Sequence, residues 1–167
     1  NFESKNYLKS LGAKNIKVLG NLKFSENEND KINKFNKKIN SFLNSKIIWC
    51  ASSTHNTEEV TCAKVHKKLK QKYNNLLTII IPRHIHRIEQ IKNEIKNLKL
   101  KIHSHSSQKK IEKNIDIYLV DTYGETKLFF KTCKTVFLGG SMIQHGGQNP
   151  LEAARYGCNI LHGPYVK

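Results

Sequence analysis

"KIIWCASSTHNTEEVTCAKVHKKLKQKYNNLLTIIIP" is the sequence of residues 46–82, and it contains the pattern that decides the fold. Residues 46–51 form a short apolar run, which is typical of a buried β-strand. Residues 57–73 read as a basic α-helix, and residues 75–82 are an almost unbroken apolar run rich in β-branched side chains. A strand, a helix and a second buried strand in this order predict a βαβ unit with parallel strands.

The same alternation continues to the end of the chain. A helix is predicted over 86–98, where isoleucine and leucine recur at helical spacing. Further strands are predicted at 100–103, 115–120, 135–140 and 159–163, with helices at 124–132 and 150–156 and a polar loop at 104–114. This pattern predicts an α/β fold, namely a Rossmann-like parallel sheet with helices on both faces.

The first 45 residues follow a different pattern. They contain one helix-like stretch that ends at Gly12, a strand predicted over 16–20, and a polar segment that runs into a helix. The sequence therefore predicts a domain boundary near Phe24 and Ser25.

The charge of the chain favours an anionic partner. Its 167 residues include 29 basic and 13 acidic side chains, for a net charge of +16. Nucleic acid, an acidic membrane surface and phosphorylated substrates are the partner classes that this charge suggests. The joint richness in Lys, Asn and Ile is also what an A/T-rich genome produces, which explains part of the excess. The lysines lack interleaved aromatic residues, so no nucleic-acid partner is expected.

The cysteines favour a reducing compartment. Cys50, Cys62, Cys133 and Cys158 show no CxxC pair and no regular spacing, and Cys50 lies in an apolar strand pattern. A cytoplasmic setting is therefore expected. The sequence shows no signal peptide and no apolar run of membrane-spanning length, and its first residue, Asn, favours a chain that begins within a longer protein.

Polar side chains cluster where four of the predicted strands end. Because the carboxyl ends of parallel strands share one edge, where open α/β sheets bind ligands, we expect these clusters to converge on a ligand site. The candidates are Ser53, Thr54, Arg83, His84, Asp121, Thr122, Gly124, Glu125, Gly140 and Ser141. The alternative is that the serine, threonine and acidic residues among them only cap the helices that follow.

The loop over 139–149 supplies four more candidates. It contains four of the nine glycines, and Asn149, Pro150 and Glu152 then form a helix-start signal with a capping box. Glycines before a helix N-terminus allow backbone N–H groups to approach an anion. We therefore add Gly146, Gly147, Asn149 and Glu152 to the site, although a well-capped helix after a flexible loop is the alternative.

Other site types are not supported. His84 with His86, and His103 with His105, form H-x-H pairs, but no third ligand accompanies either pair, so no metal site is predicted. Neither GxxxxGK(S/T) nor GxGxxG occurs, which argues against an NTP hydrolase or a dinucleotide enzyme.

Taken together, the motifs resemble those of the bacterial 3-deoxy-D-manno-octulosonic acid (Kdo) transferases. They are GNLKFS (20–25), SSTHNTEE (52–59), PRH (82–84), DTYGE (121–125), FLGGS (137–141), GGQNPLEAA (146–154) and GP (163–164). Their order and spacing match over essentially the whole chain, and GGxNPLE together with PRH and DTxGE is a specific combination. Thr57 stands where the family usually has glycine, and Gln148 where it usually has histidine.

The resemblance implies the two-domain GT-B glycosyltransferase architecture. Residues 1–24 would be the end of the N-terminal, acceptor-side domain, residues 25–45 a linker and leading helix, and residues 46–167 a donor-binding domain that is incomplete at its C-terminus. The family transfers Kdo from CMP-Kdo to a lipid A precursor at the cytoplasmic face of the inner membrane, in lipopolysaccharide biosynthesis. No cofactor is implied. The catalytic base would belong to the N-terminal domain, so no catalytic residue is assigned here and the chain alone is expected to be inactive.

The resemblance also implies partners and roles. The partners would be CMP-Kdo, the lipid A precursor, the anionic inner-membrane surface and the N-terminal domain. All the candidate residues would bind the donor, with Arg83 on the phosphate or the Kdo carboxylate and Glu152 on the ribose hydroxyls. Two alternatives stay open: another GT-B sugar-nucleotide enzyme, such as a UDP-sugar transferase or epimerase, and a basic non-catalytic module that binds anions or nucleic acid.

Overall fold

The structure is a computed structural model that describes residues 2–19 and 34–166. The chain divides into two compact units, residues 1–31 and residues 32–167. The predicted boundary near Phe24 and Ser25, the GNLKFS motif and most of the polar segment before the second helix lie outside the described residues.

In the first unit, helix α1 spans Phe2–Ser10. It stops as predicted, because Gly12 takes a left-handed φ of 87° and Ala13 N donates to Leu8 O at 3.1 Å. The strand predicted over 16–20 is wrong for residues 16–19, which have no regular secondary structure. A strand is stable only beside a partner, and no described residue pairs with this segment.

The second unit contains the remaining helices and all the strands that the structure describes. The helices are α2 (Lys37–Asn44), α3 (Glu58–Lys70), α4 (Ile88–Asn97, preceded by a 3-10 turn at Ile85–Arg87), α5 (Thr126–Thr132) and α6 (Leu151–Arg155). The strands are β1 (Ile47–Thr54), β2 (Leu76–Pro82), β3 (Ile102–Ser104), β4 (Ile117–Leu119), β5 (Thr135–Leu138) and β6 (Asn159–Leu161).

The strands form one six-stranded sheet in the order β3-β4-β2-β1-β5-β6, and every neighbouring pair is parallel. Alternate residues of a strand point to opposite faces, so that β1 contributes Cys50 to one hydrophobic core and Ala51 to the other. Side chains of α2, α5 and α6 fill the first core, and those of α3 and α4 fill the second. The predicted fold class, with helices on both faces, is confirmed.

A set of polar side chains around the buried His66 holds α3 on the sheet. His66 is fully buried, with Nδ1 2.8 Å from Thr78 Oγ1 and Nε2 3.4 Å from Asp116 Oδ1, which also binds Lys70. Burial alone would raise the pKa of Asp116, but the neighbouring His66 and the hydrogen bond from Lys70 hold this pKa far below its ordinary value. The helix is thereby held in one position, which also fixes its first turn at the carboxyl edge of the sheet.

Candidate functional site

The sheet has a topological switch point between β1 and β5. The chain runs from β1 toward β3 on one side and returns at β5 on the other side of β1. Loops that follow the two strands at such a point diverge and leave a crevice in which open α/β sheets bind ligands. The predicted residues Ser53, Thr54, Gly140 and Ser141 lie at this crevice, and Arg83 follows the neighbouring strand β2.

The loop after β5 is held by the carboxylate of Glu58, the first residue of α3. Its Oε2 accepts from the backbone N–H groups of His55 and Gly140, both at 2.8 Å. Its Oε1 accepts from the N–H groups of Ser141 at 3.1 Å and Met142 at 3.0 Å. Glu58 is fully buried, and these charge-assisted bonds offset the cost of burying its charge. The N–H groups of residues 140–142 therefore bind an anion, and that anion is a side chain of the chain itself.

Glycine is required at Gly139 by a close approach of two strands. A Cβ atom there would lie 2.3 Å from Ser53 O and 2.6 Å from Thr54 Cα, which is too close for any side chain. Gly139 N donates to Ser52 O at 2.8 Å, so that β5 and β1 meet tightly at the mouth of the crevice. The other glycines of this loop have left-handed φ angles, which are 68° at Gly140, 96° at Gly146 and 75° at Gly147.

Glu59 is a second buried carboxylate with partners inside the chain. It accepts from Arg87 Nη1 at 3.0 Å and from Thr54 Oγ1 at 3.1 Å. Burial raises the pKa of Glu59, and the hydrogen bonds from Arg87 and Thr54 oppose that rise. Thr54 is fully buried with its hydroxyl engaged by Glu59, whereas Ser53 is partly exposed.

Ser141 joins two loops of the crevice. It is fully buried, its hydroxyl donates to Leu138 O at 2.5 Å, and the same hydroxyl accepts from Gly163 N at 2.8 Å. Tyr165 N also donates to Ser141 O at 2.9 Å. The loop after β6 is therefore held against the loop after β5.

Four histidines, which we call the histidine cluster, meet at the crevice: His55, His84, His86 and His145. The ring centroids of His55 and His145 lie 4.4 Å apart, and those of His55 and His84 lie 5.6 Å apart. His86 lies next to His84, with 5.5 Å between the centroids. Burial lowers the pKa of His55, and the neighbouring His145 lowers it further. An anion among these rings would meet imidazole N–H donors.

Arg83 adds a permanent positive charge beside the histidine cluster, where β1, β2 and β5 end. Its backbone N–H donates to Thr54 O at 2.9 Å, which ties the end of β2 to the end of β1. Its side chain is exposed, and its charge contributes to the lowered pKa of His55. A guanidinium beside imidazoles can bind a phosphate or a carboxylate through charge-assisted hydrogen bonds.

The other half of the carboxyl edge of the sheet, where β3 and β4 end, carries carboxylates. Asp121 accepts from the backbone N–H and the hydroxyl of Ser106 at 2.8 and 2.7 Å. Burial alone would raise the pKa of Asp121, but these two hydrogen bonds lower it. The Oε2 atom of Glu125 lies 2.9 Å from His105 Nε2 and also accepts from the hydroxyl of Thr122.

His105 orients Glu125 through a short relay of hydrogen bonds. Its Nδ1 lies 2.8 Å from the hydroxyl of Tyr118. Burial raises the pKa of Tyr118, so its phenol stays protonated beside this ring. His105, Thr122, Gly124 and Glu125 line a cavity of about 630 Å³.

Two further candidates lie at the start of α6. Asn149 Oδ1 accepts from Leu151 N at 3.0 Å, but α6 begins at Leu151 and Pro150 takes the N-cap position, so the predicted cap at Asn149 is one residue too early. Helix α6 contains five residues, so its dipole is small. Glu152 is exposed, and in the described part of the chain no hydrogen bond joins its side chain to the N–H of Asn149.

The edge thus combines a cationic and imidazole-rich half with a carboxylate-rich half. Such a pair of surfaces fits a ligand with an anionic group and several hydroxyl groups. Within residues 2–19 and 34–166, no three histidine, cysteine or acidic side chains are arranged to hold a metal ion. Of the histidine cluster, His84 is among the site residues predicted from the sequence, whereas His55 and His145 are not. His55 lies in the SSTHNTEE motif and His145 in the glycine-rich loop, so their places in these motifs were the available signal.

The chain is similar in sequence and in fold to known proteins. The 3-deoxy-D-manno-octulosonic acid transferase of Haemophilus influenzae is 32% identical over 152 residues, which are 90% of this chain and 36% of that protein. The same enzyme of Rickettsia prowazekii is 37% identical over 157 residues, 93% of this chain and 33% of that protein. The crystal structure of the C-terminal CMP-Kdo binding domain of WaaA from Acinetobacter baumannii matches with a TM-score of 0.69 and 28% identity, covering 74% of this chain and 65% of that one. The resemblance to the Kdo transferases is confirmed.

The match covers only part of each relative. The chain spans about a third of the length of the curated Kdo transferases that it matches. No family model matches it. Among the described residues, no helix has both the length and the apolar character needed to cross a membrane.

Proposed function

We propose that the chain is the donor-binding domain of a Kdo transferase and binds CMP-Kdo at the carboxyl edge of its sheet. The observation that carries this proposal is the likeness to the CMP-Kdo binding domain of WaaA. The whole protein would transfer Kdo to a lipid A precursor at the cytoplasmic face of the inner membrane, in lipopolysaccharide biosynthesis. Its N-terminal domain would bind the acceptor and supply the catalytic base.

The two halves of the edge suit the two parts of this donor. Arg83, Ser53 and the histidine cluster would bind the phosphate or the Kdo carboxylate, while Asp121 and Glu125 would accept hydrogen bonds from hydroxyl groups of the donor. Gly146 and Gly147 would let the backbone approach the nucleotide, and Glu152 would accept from the ribose hydroxyls.

The proposed reaction is an inverting displacement. The acceptor hydroxyl, deprotonated by the base, attacks the anomeric carbon of Kdo, while the bond from that carbon to the phosphate oxygen breaks and CMP leaves. Negative charge grows on the departing phosphate, and preorganised donors stabilise such charge most strongly in the transition state. This is the contribution that Arg83 and the histidine cluster would make.

Calorimetric titration of the chain with CMP and with UDP tests the proposal. We expect CMP to bind and UDP to bind at least about tenfold more weakly, and Arg83→Ala to weaken CMP binding about tenfold, or about 1.4 kcal/mol. Lys68→Ala on the exposed face of α3 is the control and should leave CMP affinity unchanged. Equal affinity for UDP would favour a UDP-sugar enzyme, and measurable Kdo transfer by the chain alone would contradict the assignment of the base to the other domain.

A further inference from the structure

A groove with a volume of about 710 Å³ runs along β3, the outermost strand of the sheet. Helix α4 contributes one side of the groove, and the segment after β3 contributes the other. Five lysines line it: Lys92, Lys96, Lys101, Lys109 and Lys110. We call this surface the lysine groove.

The charge of the lysine groove is poorly balanced by its own carboxylates. Glu112 lies 3.7 Å from Lys101, and Asp121 is engaged by Ser106. These are the two acidic residues among the described lining side chains, which gives the lining a formal excess of three positive charges, and Lys92 is paired with Glu89 outside the lining. Among the described residues, no carboxylate lies within ion-pair distance of the exposed Lys96, Lys109 or Lys110.

The backbone of β3 adds uncharged N–H donors to the lysine groove. Lys101 O accepts from β4 and His105 N donates to β4, so alternate residues of this segment bond to the neighbouring strand. In a parallel ladder the residues between them direct their N–H and C=O groups the other way. The backbone amides of Ile102 and Ser104 therefore face the outer edge of the sheet, where the groove lies.

We propose that the lysine groove binds the phosphate-bearing headgroups of an anionic membrane lipid. Exposed lysines on flexible stems suit a surface that carries many phosphates, because each can reach a separate headgroup. Among the described residues that line it, there is no phenylalanine, tyrosine or tryptophan on which nucleic-acid bases could stack. The inference rests on the proposed function in one respect, since an enzyme with a lipid acceptor works beside a bilayer.

The position of the groove gives this binding a consequence for the reaction. Ser106 and Ser107 line both the lysine groove and the 630 Å³ cavity beside Glu125. A lipid headgroup in the groove would therefore bring the bilayer next to the proposed donor site.

Vesicle binding at low salt tests the inference. The chain is incubated with vesicles of phosphatidylcholine and with vesicles in which part of that lipid is replaced by phosphatidylglycerol. We expect binding to the anionic vesicles only, and the triple variant Lys96→Glu, Lys109→Glu, Lys110→Glu should bind them about tenfold more weakly or worse. The control is Lys64→Glu, Lys67→Glu, Lys68→Glu on the exposed face of α3, which changes the net charge equally and should weaken binding by less than about threefold.

Four results would overturn the inference. They are no binding of wild-type chain to anionic vesicles, equal losses in both triple variants, binding of soluble glycerol phosphate without vesicles, and tighter binding of an RNA oligonucleotide than of vesicles. Melting temperature and CMP affinity are measured on the same samples. A wild-type chain that binds anionic vesicles but not CMP would contradict only the proposed function. A wild-type chain that binds CMP but not anionic vesicles would contradict only the inference about the lysine groove.

Discussion

At the scale of single residues, Thr57 carries backbone strain. It is the residue before α3, it has a φ of 77°, and a β-branched side chain is unfavourable in that region. We expect Thr57→Gly to raise the free energy of unfolding by about 1 kcal/mol, because relief of the strain exceeds the entropy that glycine loses on folding. Urea denaturation measures the change.

The matched control for that variant is Thr61→Gly, one turn further along α3. Thr61 lies inside the helix, where glycine should lower the free energy of unfolding by about 0.5 kcal/mol, because glycine is a weaker helix former than threonine and the bond from the Thr61 hydroxyl to Thr57 O is lost. If Thr57→Gly were equally destabilising, Thr57 would carry no strain.

Glu152 tests the proposed donor site with little effect on folding. It is exposed, and glutamine has nearly the same shape and the same helix propensity. We expect Glu152→Gln to keep the melting temperature of wild type and to bind CMP about tenfold more weakly, because a hydrogen bond to a charged acceptor is worth about 1.5–3 kcal/mol. Calorimetry with CMP measures this, and equal affinities would remove Glu152 from the site.

At the scale of elements, Glu58 joins the start of α3 to the loop after β5. Its two oxygens accept from four backbone N–H groups, and an amide at this position keeps only one of those oxygens. We expect Glu58→Gln to lower the free energy of unfolding by about 3 kcal/mol or more, and to weaken CMP binding because the loop loses its support. Thermal denaturation and CMP titration of the same variant measure both effects.

The control for this element is an exposed carboxylate on the neighbouring helix. The side chain of Glu89 on α4 is 79% exposed and paired with Lys92. Glu89→Gln should change the free energy of unfolding by less than about 0.5 kcal/mol. A Glu58→Gln variant as stable as Glu89→Gln would mean that the carboxylate does not hold the loop.

Most elements could be predicted from the sequence, but several of their ends could not. The strand predicted at 46–51 continues to Thr54, because Thr54 pairs with Pro82 of β2. The strand predicted at 16–20 has the right local composition, yet no described residue pairs with residues 16–19. Local pattern therefore finds an element, while its extent depends on partners that are distant in sequence.

At the scale of the whole molecule, two buried histidines make stability depend on pH. Burial lowers the pKa values of His55 and His103 below the ordinary value of 6.5. Between that value and the lowered ones, the unfolded chain binds more protons than the folded chain, so the free energy of unfolding falls as the pH decreases through this range. Asp116 and Asp121 add a separate effect at lower pH. Because folding lowers their pKa values, the free energy of unfolding falls again as the pH decreases below about their ordinary 3.8.

Urea denaturation between about pH 8 and about pH 5 measures this dependence. We expect a lower midpoint at the acidic end, and a flatter profile for the double variant His55→Asn, His103→Asn. A wild-type midpoint that stays constant across the range, or rises toward acid, would contradict the assigned direction of both shifts.

The sequence by itself determined the parallel α/β class and the order of most helices and strands, and it predicts the carboxyl edge as the place of the site. These features follow from short-range patterns, namely hydrophobic spacing, turn chemistry and the rule that ligands bind where parallel strands end. The tertiary structure alone decided which polar groups are free. Glu58 and Gly140 are 82 residues apart in sequence, and Thr54, chosen as a ligand residue, is buried against Glu59. The reason is physical: a polar group binds whatever the strand order brings within about 3 Å of it, and only the assembled sheet sets those distances.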